Sequence, residues 1–594
     1  MNFNEKQIEA INHTKGACGV IATAGAGKST VLVNRIKNLV DNGVDPSNIA
    51  AISFTRNSAQ DLKLKLASLG INGGITVGTF HSICAKIMIN NGYSLNSTLY
   101  EFEIENEFKK VSSNEIDMKE IMSYIGYQKN YMRSHDDEFV PKKSKYTEDE
   151  LRTFYKTYEE LKKKKNYYDF DDYLLIGYEL MKNNPFNKKY EYILVDEHQD
   201  SNKVQCKLIN LLCPSGNVFA VFDFRQAIYG FRGGNVEYCL NFKKDYPNAK
   251  IIDMNINYRS KNKIVLKSND FMKQYYGDYE FYSDAIPFNQ QEEGIVECEH
   301  LFNEFDEADY VVSKIEELVA KGAKYDDIAV LYRLNSNVDY IENELQMRDI
   351  PYYIENDAGF FKRKEVLGIL AMLRLVNNPD DDVAFEEVFN FRAEPFMYIP
   401  KAFITNLKNK AKTEGTSLLA GCKNITKGYI NTSTTNKVKL QKFAKEVYRI
   451  SKKAKEGTEL LKILEDIYDL VDIYDWIECK SKSDVDIEER KKSMETMKNF
   501  TKDKSIEQFI NFAYTNNTKK KKKENSVQLM TIHKSKGLQW KNTFVIGLQD
   551  EVFPHKDSDI MEEARLMYVA VTRAENNLFV TGVGESRFLD EYRG

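Results

Sequence analysis

Cysteine, proline, glycine and tryptophan are all thinly used in this chain of 594 residues. There are eight cysteines and no CxxC pair, which excludes a disulfide framework and a zinc or iron–sulfur cluster built on paired thiolates. Eleven prolines and 30 glycines leave no Pro/Gly-rich low-complexity linker. No apolar run approaches the ~18 residues that span a bilayer. The opening Met-Asn-Phe-Asn-Glu-Lys has no basic stretch followed by an apolar one, so neither a membrane anchor nor a signal peptide is expected and the expected location is the reducing cytoplasm. Neither sign of charge dominates. Lys and Arg number 84 against 89 Asp and Glu, a net charge of −5 that taken alone counts against a nucleic-acid partner. A mean hides patches, however. Residues 401–455 hold fourteen Lys or Arg and only Glu414 and Glu446 as acids, and residues 519–523 are five consecutive lysines that read as an exposed linker. What is plentiful is ordinary globular material. Hydrophobic residues are 42% and charged residues 29%, and at ~150 residues per domain the length suggests about four domains.

The first ~85 residues alternate strand-like and helix-like runs, the pattern of a parallel α/β sheet. Cys18–Ala22 reads as a buried strand, followed by a Gly turn and a helix with Val31, Leu32, Ile36 and Leu39 on one side. Ile49–Phe54 reads as another strand. Residues 87–183 are rich in Lys, Glu and Tyr. Leu151, Tyr155, Tyr158 and Leu161 recur there at helical spacing, so the segment reads as a helical insertion. Strands return at Tyr192–Val195 and Val218–Phe222. A second α/β block follows from about 250, with strands at Ile328–Tyr332, Val527–Thr531, Thr543–Ile546 and Leu578–Thr581. The expected organisation is an α/β core domain of residues 1–86 and 184–249 with insertion 87–183. A second core domain covers 250–378 and 525–594, with a basic helical insertion at 379–524.

Between the first strand and its helix lies Ala22-Thr-Ala-Gly-Ala-Gly-Lys-Ser29, a P-loop with Ala at the first Gly position. Gly25 and Gly27 let backbone N–H groups, including those of Ala24, Ala26 and Thr30 around them, wrap a phosphate at a helix N-terminus. Lys28 adds a cation for the β- and γ-phosphates, and the Ser29 hydroxyl can ligate Mg²⁺. Such a loop needs a carboxylate at the end of a nearby strand, and Ile193-Leu-Val-Asp196-Glu197 supplies it. Asp196 would hold Mg²⁺ and Glu197 would polarise the attacking water. ATP and Mg²⁺ are the cofactors these residues call for.

Once both sites are placed, the order of further motifs resembles the superfamily 1 DNA helicases of the UvrD/Rep/PcrA type, over nearly the whole chain. Phe3-Asn-Glu-Lys-Gln7 resembles the Q motif, and Ser53-Phe54-Thr55 and Thr79-Phe-His81-Ser82 resemble the DNA-contacting motifs after the P-loop. Val195–Asp200 resembles motif II, and Gln226-Ala-Ile-Tyr229-Gly-Phe231-Arg232 resembles motif III. Asn257-Tyr258-Arg259-Ser260 resembles motif IV, Thr531–Leu538 motif V and Tyr568–Glu575 motif VI.

The resemblance implies two RecA-like parallel-sheet domains, each with a mainly helical insertion, and ATP held between them. Gln7 and Tyr258 would contact the adenine and Gly537 would border the nucleotide. Arg259 and Arg573 would act as arginine fingers, worth ~10³–10⁵ in rate, with Gln226 sensing the γ-phosphate. Phe54, Tyr229 and Phe231 would stack on bases, while Thr55, His81, Arg232 and His533 would contact single-stranded DNA. The implied activity is ATP-dependent translocation on single-stranded DNA and helicase action, 3′ to 5′, in repair, replication or defence. Single-stranded and forked DNA would be the partners, with the basic insertion on the duplex. Two other readings stay open. One is a DNA-stimulated ATPase serving as motor subunit of a nuclease or defence complex, with a separate protein supplying the nuclease. The other is a nucleotide-gated DNA clamp.

Several residues depart from the family pattern. His198 stands in place of an aromatic, Phe222, Arg225 and Ala227 in place of Gly, Asp and Ser, Gln539 in place of Glu and Thr30 in place of Arg. They bear on coupling and nucleotide selectivity and leave the hydrolytic set intact. Relatives carry a duplex-splitting hairpin between the last core strand and a Ser-Arg-Phe segment. Here Leu578–Thr581 runs through Gly582–Glu585 into Ser586-Arg587-Phe588, which leaves no room for a long one.

Overall fold

The computed structural model describes residues 3–112, 116–184, 187–230, 233–354, 360–425, 434–481, 484–502, 504–518, 524–556 and 558–593. The chain forms two compact units, one of residues 1–301 with 532–594 and the other of residues 302–531. Among the described residues, no helix is long and apolar enough to cross a membrane.

The first unit opens with helix α1 (Glu5–Asn12), strand β1 (Cys18–Ala22) and helix α2 (Lys28–Asp41). Strands β2 (Ile49–Ile52), β3 (Thr76–Gly78), β4 (Tyr192–Val195), β5 (Asn217–Phe222) and β6 (Lys250–Met254) complete a parallel sheet in the order β3-β2-β4-β5-β1-β6. Residues of β1, β2 and β4 are buried on both faces, as their unbroken apolar runs require when helices cover the sheet. Val31, Leu32, Ile36 and Leu39 of α2 pack in this core with Val20 and Val221. The expected boundary at 250 is corrected here. Residues 250–254 pair with Cys18–Ala22 strand to strand, so the first sheet takes one strand that the sequence reading assigned to the second block. The strand expected over Ile49–Phe54 stops at Ile52, where the chain turns into the helix Arg56–Ser68 with Thr55 as its N-cap.

The segment 87–183 is helical, with helices Glu101–Val111, Met118–Asn130, Glu148–Lys165 and Phe170–Asn183. Leu151, Tyr155, Tyr158 and Leu161 lie in its buried core. Two buried lysines also sit there. Lys129 Nζ lies 2.8, 2.7 and 2.7 Å from carboxylate oxygens of Glu159, Asp169 and Asp172, and Lys162 Nζ lies 2.8, 3.0 and 2.6 Å from the same three residues. Those carboxylates cluster closely enough to suggest a cation site, and the two ammonium groups already fill that role.

After β6 come the paired short strands β7 (Ile256–Asn257) and β8 (Ile286–Pro287) and then β9 (Ile295–Leu301). The second unit holds β10 (Ile328–Tyr332), β11 (Tyr352–Ile354) and β12 (Val527–Thr531), parallel in the order β11-β12-β10. Between β11 and β12 lie helices that include the basic helix Thr434–Lys455. The run 519–523 lies outside the described residues. The chain then returns to the first unit with β13 (Trp540–Leu548) and β14 (Ala574–Val583), parallel to each other and to β9. Strand β14 ends at Val583 and the next helix begins at Arg587, so no hairpin stands between them.

Candidate nucleotide site and nucleic-acid groove

The P-loop links β1 to α2 as the sequence predicts. Gly25 and Gly27 have φ of +74° and +83°, a conformation that disfavours any other residue. A Cβ on Gly25 would also lie 2.6 Å from Asn257 Oδ1. Gly27 is the N-cap of α2 and offers no side-chain cap, so the first N–H groups of α2 face the loop. Ala24 and Ala26 are buried, while Lys28, Ser29 and Thr30 are half-buried at the helix start. This is an anion site by construction.

Strand β4 runs next to β5 and β2 and delivers Asp196 and Glu197 to the same end of the sheet. Glu197 Oε1 lies 4.0 Å from Lys28 Nζ, and Glu197 sits in the left-handed region at φ +52°, a strained setting for a side chain of this kind. The two neighbouring carboxyls are driven apart. Burial and the adjacent Glu197 charge raise Asp196 above the usual carboxylate range. Burial opposes the Glu197 charge too, but Lys28, Lys536, the Gln199 amide and Arg573 outweigh it and hold Glu197 below that range.

A hydrogen-bonded chain runs on from Glu197. The Gln199 amide donates to the Glu197 carboxylate, and Gln199 Oε1 accepts from Asp223 N at 3.1 Å. The Asp223 carboxylate accepts from Arg225 Nε at 2.8 Å and from Gln226 Nε2 at 2.7 Å. Gln226 Oε1 accepts from Arg573 Nη2 at 3.3 Å. Arg573 is 1% exposed, and burial pushes its guanidinium down to about 9, with the neighbouring Arg259 charge adding to the effect and Glu197 opposing it. Arg259 is also lowered by burial. It donates to Thr572 O at 3.0 Å while its Nε is buried without a partner. Two guanidinium groups in this state are prepared for an anion.

A cavity of about 840 Å³ lies on the same unit, lined by Phe54, Thr55, His81, Phe170, Asp200 and Tyr229 among others. Phe54 and Tyr229 stack with centroids 5.1 Å apart and 19° between planes, and His81 meets Phe170 edge-on at 5.8 Å. Thr55 Oγ1 accepts from Ser58 N and so caps a helix at the rim. Lys536 joins this cavity to the nucleotide side. Its ammonium is bonded to Asp200, donates to Gln226 O at 2.8 Å and lies 5.0 Å from the Tyr229 centroid. Burial opposes the Lys536 charge, and Asp200 and Glu197 more than restore it. Burial raises Asp200 to about 6 against the pull of Lys536.

Residues 3–247 match the UvrD/REP helicase N-terminal domain and residues 252–584 match the UvrD-like helicase C-terminal domain. The chain belongs to the UvrD/Rep helicase family. It is 30% identical to the ATP-dependent DNA helicase PcrA of Bacillus subtilis, over 98% of this chain and 82% of that protein. It is 32% identical to the ATP-dependent DNA helicase Rep of Buchnera aphidicola from Acyrthosiphon pisum, over 98% and 95%. It is 30% identical to the putative ATP-dependent DNA helicase YjcD of Bacillus subtilis, over 98% and 79%.

Among the described residues, the motif residues named above from Gln7 to Arg259 and from Ile532 to Arg573 lie in one compact unit. Glu197 adjoins Lys28 and Arg259 adjoins Gly25 at the P-loop, and Gln226 and Arg573 connect to Glu197 through Gln199 and Asp223. Phe54, Thr55, His81 and Tyr229 line one cavity. Gln7 is brought to the P-loop in an unexpected way. Its Nε2 donates to Ala26 O at 3.1 Å and its Oε1 accepts from Asn4 N at 3.1 Å, so its amide anchors the loop. Tyr258 follows, with its N–H on Gly25 O at 3.0 Å. Gly537 has φ +89° in the turn before β13. His533 lies in the short helix Ile532–Ser535 and is not among the residues that line the cavity. Phe231 and Arg232 lie outside the described residues. Sequence reasoning does not single out Lys536, Asp200, Asp223 and Phe170 as site residues, although Lys536 lies within motif V and Asp200 within motif II. The UvrD/Rep family's ATP dependence fits the residues present. The uncapped helix end, Lys28 and the unpartnered Arg259 Nε suit a triphosphate, and the Ser29 hydroxyl with the Asp196 carboxyl is an oxygen donor set that suits a divalent cation.

Proposed function

We propose that this chain is an ATP-dependent single-stranded DNA translocase and DNA helicase that moves 3′ to 5′ in DNA repair, replication or defence in the cytoplasm. The observation that carries the reading is the unbroken connection from Glu197 through Gln199, Asp223 and Gln226 to Arg573, with Lys536 extending it to Tyr229 and Phe54. Gly25, Gly27 and the start of α2 cradle the phosphates, Lys28 pairs with the β- and γ-oxygens, and Tyr258 offers a face to the adenine. Glu197 orients the attacking water and takes its proton while the bond from the γ-phosphorus to the bridging oxygen breaks. Arg259 and Arg573 stabilise the charge that develops there. Ser29 and Asp196 would hold Mg²⁺, which supplies charge neutralisation on the phosphate oxygens. Strand bases stack in the cavity against Phe54 and Tyr229, with Thr55, His81, Arg232 and His533 on the backbone and Phe231 as a further ring. The four-part organisation has two RecA-like cores, a helical insertion at 87–183 and a basic one at 379–524. ATPase rates with and without single-stranded DNA test the reading, and a rate indifferent to DNA overturns it.

A second reading has specific support. The direct passage from β14 at Val583 into the helix at Arg587 leaves out a strand-splitting hairpin. A motor subunit that walks on DNA but opens duplex poorly without a partner, such as a nuclease, has that build. Displacement of a long duplex by the purified chain separates the two. Processive unwinding favours the autonomous helicase, and translocation without unwinding favours the subunit.

A further inference from the structure

An acid stands in the cavity that the strand would follow. Asp171, in the first turn of the helix Phe170–Asn183, lines the space of about 840 Å³ that Phe54 and Tyr229 also line. A bare carboxylate repels the phosphates of a strand. Its setting is nevertheless a built one. Asp171 Oδ1 accepts from Asn130 Nδ2 at 3.2 Å, and the same Asn130 amide is anchored on Gly126 O at 2.8 Å. Asp171 Oδ2 has no partner among the described residues. A Cβ at position 126 would lie 3.0 Å from that oxygen, so Gly126, which lines the same cavity, leaves it uncovered. The other acid in the lining, Asp200, is bonded to Lys536. Arg56 and Lys119 line the cavity as well, and neither forms an ion pair with Asp171 among the described residues. Burial, with the Asp169 charge beside it, raises the Asp171 carboxyl to about 6, so the group is charged in mildly alkaline buffer.

We propose that Asp171 is a specificity-determining residue of the nucleic-acid groove, its Oδ2 accepting a hydrogen bond from the exocyclic amino group of a base, a group that thymine alone lacks. The inference rests on the reading of the cavity as a single-strand groove and deepens it. An uncovered acceptor oxygen attracts N–H donors and repels phosphate and carbonyl oxygens. Cytosine offers N4–H₂, whereas thymine carries O4 at the matching position. Unpaired bases expose these edges to a protein. Rings such as Phe54 and Tyr229 accept every base alike, so discrimination falls to a polar side chain, and Arg56 and Lys119 remain for the phosphates.

The test uses the full chain with Asp171→Asn and Gly126→Ala. Affinities for oligo(dC) and oligo(dT) of about 16 nucleotides are measured by fluorescence anisotropy at about pH 8, with ATPase stimulation by each. The two bases have one ring each, which keeps stacking nearly constant. The parent should bind oligo(dC) about three- to tenfold more tightly than oligo(dT), the range of one hydrogen bond. Asp171→Asn should abolish or invert that ratio. The Asn130 donor keeps the remaining amide oxygen on its own side, so an NH₂ group replaces Oδ2 and favours thymine O4. Gly126→Ala leaves the charge in place and crowds Oδ2, and should lower the ratio. A parent without preference overturns the proposal. So does equal tightening on both strands in Asp171→Asn, because the carboxylate is then only a repulsive charge, and so does a ratio that neither variant moves. Failure of the underlying reading looks different. The parent would bind neither strand, or would bind both as well after Tyr229→Ala.

Discussion

The Lys536 ammonium lies 5.0 Å from the centroid of the Tyr229 ring. The same nitrogen is bonded to Asp200 and to Gln226 O, so a single cation touches Gln226 and the Tyr229 ring together. Lys536→Met should therefore cut the stimulation of ATPase by single-stranded DNA about tenfold, ~1.4 kcal/mol in barrier, while basal turnover changes less. Tyr229→Ala should likewise lose stimulation, with DNA affinity falling by ~1–3 kcal/mol. Equal loss of basal and stimulated rates in Tyr229→Ala would return that ring to a purely packing role. Because Lys536→Met strands a buried carboxylate, Asp200→Asn in the same chain should recover part of the lost thermal stability.

Glu197→Gln should bind ATP and lose turnover by ~10²–10⁴, the usual size of a general-base contribution. Lys28→Ala should instead weaken ATP binding. Arg573→Ala should lose ~10³ or more in kcat at nearly unchanged ATP affinity. Binding by calorimetry beside single-turnover hydrolysis checks all three, and parent-like turnover in Glu197→Gln removes it from the role of base.

His198 offers a pH test. It is 3% exposed, is hydrogen-bonded to Ser201 Oγ at 3.0 Å and packs against Phe222 and Phe242. Burial pushes its imidazole from 6.5 down to about 4. The unfolded chain then binds the proton first as pH falls below 6.5, so stability is lost progressively between pH 6.5 and 4, by about 3 kcal/mol in all. Above pH 6.5 this group contributes no slope. His198→Phe should shrink the fall in thermal midpoint between pH 7 and 5, and a fall as steep as the parent's would rule this histidine out as its source.

The basic helix Thr434–Lys455 presents Lys437, Lys442, Lys445 and Lys452 on its exposed or half-exposed side, with Lys452 3.7 Å from Glu456, while Lys439 pairs with Glu394 and Lys453 with Asp466. Replacing the first four by Gln should weaken binding to forked DNA and flatten its salt dependence by up to ~0.9 in log–log slope for each phosphate no longer neutralised. Binding to short single strands should hardly change. An unaltered slope would make this face merely solvated.

Much of the fold was legible because buried parallel strands announce themselves as short apolar runs between turn residues. Cys18–Ala22, Tyr192–Val195, Ile328–Tyr332 and Val527–Thr531 have the bounds read from sequence. What sequence does not carry is the identity of a strand's neighbour. Lys250–Met254 looks like any strand, and only its pairing with β1 assigns it. The P-loop residues were legible for the same local reason, since loop, lysine and helix are contiguous. Lys536 and Asp200 were not, because an ion pair between residues this far apart in the chain leaves no periodicity to read. Gln7 reads from the Q-motif resemblance as an adenine contact, and its hydrogen bond to Ala26 O reaches a backbone atom that no side-chain pattern reveals.

The five charges clustered in the helical insertion, of which Lys129, Lys162 and Asp172 are buried, also constrain how that insertion can change over generations. Lys129 and Lys162 share Glu159, Asp169 and Asp172, two cations against three carboxylates, so loss of either buried lysine leaves three carboxylates on one ammonium, at ~3–5 kcal/mol. Replacing the whole set with apolar residues would cost far less, yet a path that removes a buried lysine before its carboxylates passes through a poorly folded step. The cluster behaves as an evolutionary ratchet. Around it the surface helices are free to drift toward new partners, while the interior that holds them in register stays locked.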